Sequence, residues 1–253
     1  MGIIQSRGLG DILIALPIAL HYYEAGNEIY WPICVEFWDS VKDHAPWVHW
    51  IPVPTDAAGD FFYDEPLKRI KAFGCKTYIV LYQSLNTQPE FSAVPYFQIQ
   101  HFDEFKYSKA EVPFLDKWKL DQCITRLPKR EADLRTKLGI TDDQPYFVTH
   151  LAGSNVEYEP DLSHMPNDWT RIDIVEGMAS SVFDWIGVIE GAEALICIDS
   201  VISNMVDQLK LPVDKYWIPR SHIHLTPVLG TQWTILDPIP NSTAAQRIFG
   251  SNP

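Results

Sequence analysis

The sequence predicts an α/β chain in two halves, each built on a parallel sheet. Residues 2–53 alternate short apolar runs with helical stretches, in the order strand, helix, strand, helix, strand. Parallel neighbours need a crossover of this kind, and a helix usually supplies it. Residues 146–217 restart the same plan, and the polar stretch TDDQP at 141–145 separates the two series. The expected domains are therefore 1–143 and 144–253. With 253 residues, 46% of them hydrophobic and 21% charged, the chain can bury a sizeable core.

The elements follow in order. Residues 2–6 read as a strand and 11–25 as a helix, with Gly26-Asn27 as its stop. Pro17 lies inside that helix and removes one backbone bond, which predicts a kink or a tight first segment. Strands are expected at 28–34, 48–53 and 76–82, and helices at 36–43 and 64–73. From 83 to 125 the periodicity weakens, and aromatic and charged residues alternate with prolines at 89, 95 and 113. Helices are expected there at 101–109 and 117–123, in a stretch read either as a lid or acceptor surface or as an ordinary covering layer. A charged helix at 129–138 ends at Gly139. The second half shows strands at 146–151, 193–198, 212–217 and 233–236, helices at 183–192, 201–209 and 241–249, and an acidic loop at 155–168. No short-period repeat or low-complexity tract interrupts this plan.

Composition narrows the function classes. A formal net charge of −13 disfavours nonspecific nucleic-acid binding, leaving only a local basic cleft open to it. Short basic clusters at Lys68, Arg69 and Lys71, and at Arg126, Lys129 and Arg130, are the candidates for such a cleft, or are solvated helix faces. Cys34, Cys75, Cys123 and Cys197 form no CxxC pair. Cys34 and Cys197 sit in apolar strand contexts and read as buried thiols. The start lacks a signal-peptide pattern, and no apolar run is long enough to cross a bilayer. The expected setting is the cytoplasm.

Two stretches carry chemistry. Gly8-Leu9-Gly10-Asp11 joins the first strand to the first helix. In an open α/β sheet such a turn lies where ligands bind. It is neither the dinucleotide fingerprint nor a Walker loop. Asp11 is read either as a helix cap or as a reactive carboxylate. The second stretch, CIDSVISN at 197–204, runs from an apolar strand into a helix. Asp199 and Ser200 at that helix start are read either as ligands of a ribose or phosphate or as a helix cap. Ala152-Gly153-Ser154 is a second small-residue turn after a strand. His222 and His224 lack the HExxH or carboxylate company of a metal hydrolase and read as loop histidines.

The opening GLGDILIALPIALHYYEAGNEIYW resembles glycosyltransferase family 9, the heptosyltransferase-like enzymes. That family carries a (S/L/M)GD turn and LPAL in the first helix; here the text reads LGD and LPIAL. The resemblance returns in the small-residue turn at 147–154, and in AEALICIDSVISNMVDQLKLPVDKYWIP at 192–219. It covers the first third and much of the last third of the chain.

The resemblance implies a GT-B fold: two Rossmann-like domains whose parallel sheets face an interdomain cleft, here with the second domain reduced. It implies inverting transfer of a sugar from a nucleotide-sugar donor to an acceptor hydroxyl, with no metal and no other cofactor. Asp11 would be the general base on the cleft turn Gly8, Leu9 and Gly10. Gly153, Ser154, Asp199 and Ser200 would bind the donor.

Departures from the family pattern fall in the donor half. Val201 replaces its glycine, and Asn204 replaces its histidine. No lysine stands near Ser163-His164-Met165-Pro166, so His164, Arg171 or Arg220 would supply the missing polar contact. The interval 170–182 is too short for the family's helix, strand and loop. The acceptor is open between a saccharide and a hydroxymethylated base of phage-type DNA. The alternative to an enzyme is a sugar- or nucleotide-binding module that keeps the fold without turnover.

Overall fold

The computed structural model describes residues 1–55, 60–82, 101–153, 156–163, 165–219 and 226–237. The chain divides into two compact units, Met1–Thr125 and Arg126–Pro253. Among the described residues, no helix is long and apolar enough to cross a membrane.

The first unit holds strands β1 (Gly2–Ile4), β2 (Ile29–Cys34), β3 (Val48–Val53) and β4 (Tyr78–Val80) in one parallel sheet, ordered β3-β2-β1-β4. Helix α1 (Leu9–Glu24) follows β1, and its residues from Ile12 to Leu20 are all buried. A helix buried on every side needs cover on both faces. One face meets the sheet. The other lies under the 101–125 segment: α4 (Phe102–Lys109), a 3-10 turn at Phe114–Trp118 and α5 (Leu120–Cys123). Tyr107 donates to the Ile14 carbonyl at 2.9 Å, and Tyr22 of α1 donates to the Ala110 carbonyl at 2.6 Å. Residues 101–125 are thus a cover over α1, and the rest of the stretch read as lid, acceptor surface or covering layer, 83–100, lies outside the described residues. Helix α1 runs unbroken through Pro17 and ends at Gly26, whose φ of +87° suits glycine. The expected helix at 36–43 is split into a 3-10 turn, Val35–Phe37, and a short α2, Trp38–Val41. Helix α3 (Asp64–Ala72) packs through Ile70 against Ile4 and Val80. Burial pushes the Cys34 thiol up to about 11, with Glu36 adding to the effect.

The second unit begins with α6 (Pro128–Lys137), ahead of the expected boundary at 143/144. Arg130 pairs with the buried Asp184 at 2.8 Å, Arg126 with Glu190 at 2.8 Å, and Arg135 donates to the Tyr146 hydroxyl at 3.2 Å. These contacts tie α6 to the second core, so TDDQP is a loop within that unit.

Strands β5 (Tyr146–His150), β8 (Thr170–Asp173), β9 (Ala194–Ile198), β10 (Asp214–Ile218) and β11 (Thr234–Ile235) form a parallel sheet ordered β11-β10-β9-β5-β8. Phe147, Leu151, Met165, Ala194, Ile196, Ile198 and Ile218 make its core. The 183–192 helix is a 3-10 turn, Val182–Trp185, continued by α7 (Ile186–Glu190), and α8 is Val201–Gln208.

Two features of this unit differ from expectation. Ala152–Gly153 is strand β6, paired antiparallel with β7 (Val156–Glu157), so the small-residue stretch and the start of the expected loop form a short hairpin. Strand β8 was not foreseen. Its sequence TRID carries one buried apolar residue, Ile172, too little to mark an edge strand. The interval 170–182 holds β8 and a turn-rich stretch with no helix, in keeping with a reduced second domain. The terminal helix expected at 241–249 lies outside the described residues.

Candidate functional site

In each sheet the strand order reverses at one place, and open α/β sheets bind ligands there, outside the carboxyl ends of the strands. In the first unit the reversal lies between β1 and β4. The chain leaves β1 through Gln5, Ser6 and Arg7 and turns at Gly8, whose φ is +81°. Gly8 caps α1 without any side-chain bond, which places Asp11 three residues into the helix. Asp11 is therefore not the N-cap. A carboxylate in the first turn still favours the positive helix end. Gly8 is required twice over, because a Cβ there would also stand 2.5 Å from Asp11 Oδ2.

The ammonium of Lys106, from α4, lies beneath this turn. It sits 3.0 Å from Asp11 Oδ1 and donates to Gln5 Oε1 at 2.7 Å and to the Leu81 carbonyl at 3.0 Å. The Lys106 side chain is 4% exposed and that of Asp11 is 37% exposed, so the pair runs from the interior to the surface. Gln5 Nε2 also donates to the Arg7 carbonyl at 2.8 Å, and Trp31 Nε1 donates to the Gln5 carbonyl at 3.0 Å.

Beside the turn, the Tyr82 hydroxyl accepts from the Arg7 backbone N–H at 2.8 Å and shares a hydrogen bond with Ser6 Oγ at 3.1 Å. Burial raises the Tyr82 phenol, which stays neutral at ordinary pH. Phe61 lies under the Arg7 guanidinium, and Phe62 meets Tyr82 edge-on. Leu9 and Gly10 form the first helical residues and are half-buried.

In the second unit the reversal lies between β5 and β9. His150 ends β5, and Asp199 and Ser200 follow β9. His150 Nδ1 and Ser200 Oγ share a hydrogen bond of 2.9 Å across this gap. Ser200 is also the N-cap of α8: its Oγ accepts from the Ile202 N–H at 3.3 Å, and its own N–H donates to Ser203 Oγ at 2.9 Å. Asn204 Nδ2 donates to the Ser200 carbonyl at 2.9 Å, while Asn204 Oδ1 is buried without a partner. Asp199 is buried, and its backbone N–H donates to the Ile218 carbonyl at 3.1 Å.

Asp199, Ser200 and Asn204 thus come together at one helix start, as the sequence predicts, and Ser200 is a cap in addition. Gly153 is exposed in the hairpin that follows His150. Ser154, His164 and Arg220 lie outside the described residues, as do His222 and His224. Arg171 is held by Glu159 at 2.5 Å and by Asp173 at 2.8 Å, so its charge is matched within its own unit. Among the described residues, no three His, Cys, Asp or Glu side chains converge to hold a metal ion.

Lys106, Gln5, Tyr82 and His150 were missed in the sequence. A buried lysine has no periodic signature of its own. The available signal was its place four residues after Phe102 and next to Phe105, on the apolar stripe of a short helix.

No family model matches the sequence, and no curated protein matches it. Solved structures do match in fold. The chain is similar to the crystal structure of the glycosyl transferase family 9 from Veillonella parvula DSM 2008, with a TM-score of 0.61 and 12% identity over 100% of this chain and 91% of that one. It is also similar to the E. coli heptosyltransferase WaaC with ADP-2-deoxy-2-fluoro heptose, with a TM-score of 0.50 and 14% identity over 97% of this chain and 95% of that one. The fold anticipated from the sequence, two α/β units with parallel sheets of the glycosyltransferase family 9 kind, is therefore the fold of the protein.

Proposed function

We propose that the protein is an inverting glycosyltransferase that moves a sugar from a nucleotide-sugar donor to a saccharide hydroxyl, with Asp11 as general base. One observation carries the reading: at the carboxyl end of β1, where the strand order reverses, Asp11 Oδ1 is tied to a buried lysine while the carboxylate stays partly open to solvent. A fixed carboxylate at that place suits proton abstraction. It takes the proton of the acceptor hydroxyl as that oxygen bonds to the anomeric carbon. The bond from that carbon to the phosphate oxygen breaks with inversion, and the nucleoside diphosphate leaves with the electron pair.

The second unit would hold the donor. The α8 start, where Asp199, Ser200, His150 and Asn204 gather, offers a positive helix end and polar side chains to a diphosphate or a sugar. Gly153 lies on the adjoining hairpin, and Ser154, His164 and Arg220 complete the proposed donor set. The likeness to a family 9 glycosyl transferase and to a heptosyltransferase solved with an ADP-sugar analogue supports the same reading. We propose no metal or other cofactor for the transfer, and a cytoplasmic setting.

A saccharide acceptor is favoured over DNA because most cations of the candidate basic clusters face carboxylates. Lys68 and Arg69 pair with Glu65, Arg126 with Glu131 and Glu190, Lys129 with Asp133, and Arg130 with Asp184.

The test is nucleotide release from UDP-, GDP-, ADP- and CMP-sugars, with and without saccharide acceptors. Asp11→Asn is expected to lower transfer by about 10²–10⁴-fold and to leave donor affinity unchanged. Unchanged transfer by that variant removes Asp11 from the mechanism. Donor binding that no acceptor converts to turnover favours the binding-module reading, to which Val201 and Asn204 point as departures from the family pattern.

A further inference from the structure

We propose that Lys106 is the positioning residue of Asp11, acting from the cover over α1 to fix which carboxylate oxygen receives the acceptor proton. The inference rests on the general-base reading of Asp11. Three acceptors surround the Lys106 ammonium: Gln5 Oε1 at 2.7 Å, Asp11 Oδ1 at 3.0 Å and the Leu81 carbonyl at 3.0 Å. Only Asp11 among them carries charge. An ammonium that is 4% exposed needs such company, because an uncompensated buried charge is strongly unfavourable. Two of its N–H donors are used on Gln5 and the Leu81 carbonyl, and its charge faces Asp11 Oδ1 as an ion pair. These contacts together lock the group in place.

The lock has two anchors outside the helix that carries Asp11. Gln5 continues β1, and Leu81 continues β4, where its N–H donates to the Ile4 carbonyl at 3.0 Å. The ammonium thus bridges the ends of the two strands between which the order reverses. Gln5 is itself fixed, since its amide nitrogen donates to the Arg7 carbonyl at 2.8 Å inside the glycine turn. The Phe102 ring lies 5.8 Å from the ammonium and closes its remaining side.

With Oδ1 held from below, Oδ2 is the oxygen on the Gly8 side, where glycine leaves space and a Cβ would stand at 2.5 Å. Oδ2 is left to accept the proton. When it does, the ammonium keeps its two neutral acceptors and the base does not swing away. The outcome is one aimed oxygen in place of a carboxylate that rotates.

The experiment is a double-mutant cycle on the full chain, reading kcat and KM for each nucleotide sugar that the unaltered protein turns over. Lys106→Met is expected to lower kcat by about 10²-fold, the cost of misplacing a reacting group by about an ångström, with donor KM changed by less than about threefold. In the Asp11→Asn background the same change is expected to cost nothing further, because it acts through Asp11. Lys106→Gln, which keeps a donor for Gln5 but no charge, is read in the same cycle and carries the test if Lys106→Met does not fold.

An equal loss in both backgrounds overturns the proposal in favour of a purely structural lysine. Undiminished kcat in Lys106→Gln with an inactive Asp11→Asn overturns the role of Lys106 and leaves the base reading intact. Undiminished transfer by Asp11→Asn, or no turnover of any sugar nucleotide by the unaltered protein, overturns both.

Discussion

At the scale of single residues, Gly8 and Asp11 are one device. The helix needs its turn to arrive at φ +81°, and the carboxylate needs the volume a Cβ would fill. Gly8→Ala violates both demands at once. The left-handed backbone costs about 1–2 kcal/mol for a residue with a Cβ. The methyl must also push Asp11 Oδ2 from its place. The expected result is a small loss of stability in urea unfolding, near that cost, beside a loss of transfer of about 10²-fold. Equal and small losses in both would mean that the turn only starts the helix. Asp11 was legible because a strand, a glycine turn and a helix announce the switch point of a sheet. Lys106 was not, because burial of a lysine depends on acceptors brought from β1 and β4, about a hundred residues and twenty-five residues away in sequence.

At the scale of elements, the segments that repeat a simple period were readable and those held by polar contacts were not. Strands β1 to β3, α1 and α8 follow from apolar runs bounded by turn residues. Strand β8 depends on pairing with the distant backbone of β5, which one sequence does not display, and the β6–β7 hairpin has strands of two residues each, too short to show a period. The stretch 230–233 is a further case. Asp207, buried on α8, accepts from the Gly230 N–H at 3.0 Å, from the Thr231 N–H and hydroxyl at 3.0 and 2.8 Å, and from Trp233 Nε1 at 2.9 Å. One carboxylate thereby fixes the approach to β11, and the Lys215 ammonium rests over the Trp233 ring at 5.9 Å. Hydrogen bonds to a charged group contribute about 1.5–3 kcal/mol each, and several here share one acceptor. Asp207→Ala is expected to cost about 3 kcal/mol in urea unfolding and to shift the Trp233 fluorescence to the red as the indole meets water. Stability within about 0.5 kcal/mol of the parent would show that β11 holds itself in place.

At the scale of the whole molecule, charge bears on which acceptor the proposed transfer would use. The parallel plan of both sheets and the excess of acidic groups were plain in the sequence. The pairing of Arg126 with Glu190 and of Arg130 with Asp184 was not, because it joins residues 64 and 54 positions apart through the docking of α6 and the segment before it. That docking also moved the boundary between the units to Thr125 and Arg126. A duplex attracts a protein through Lys and Arg that replace its counterions, so cations already facing carboxylates contribute little. With a net charge of −13, long-range repulsion adds to the deficit. The expected outcome is no gel shift of hydroxymethylated or plain duplex at about 0.15 M salt and protein up to about 10 µM, a range in which ordinary nonspecific binders begin to shift DNA. A shift that weakens steeply with salt would mean that phosphate contacts exist after all, and the DNA acceptor would then replace the saccharide in the proposed reaction. A shift specific to the hydroxymethylated duplex and insensitive to salt would favour the same replacement through recognition of the hydroxyl itself.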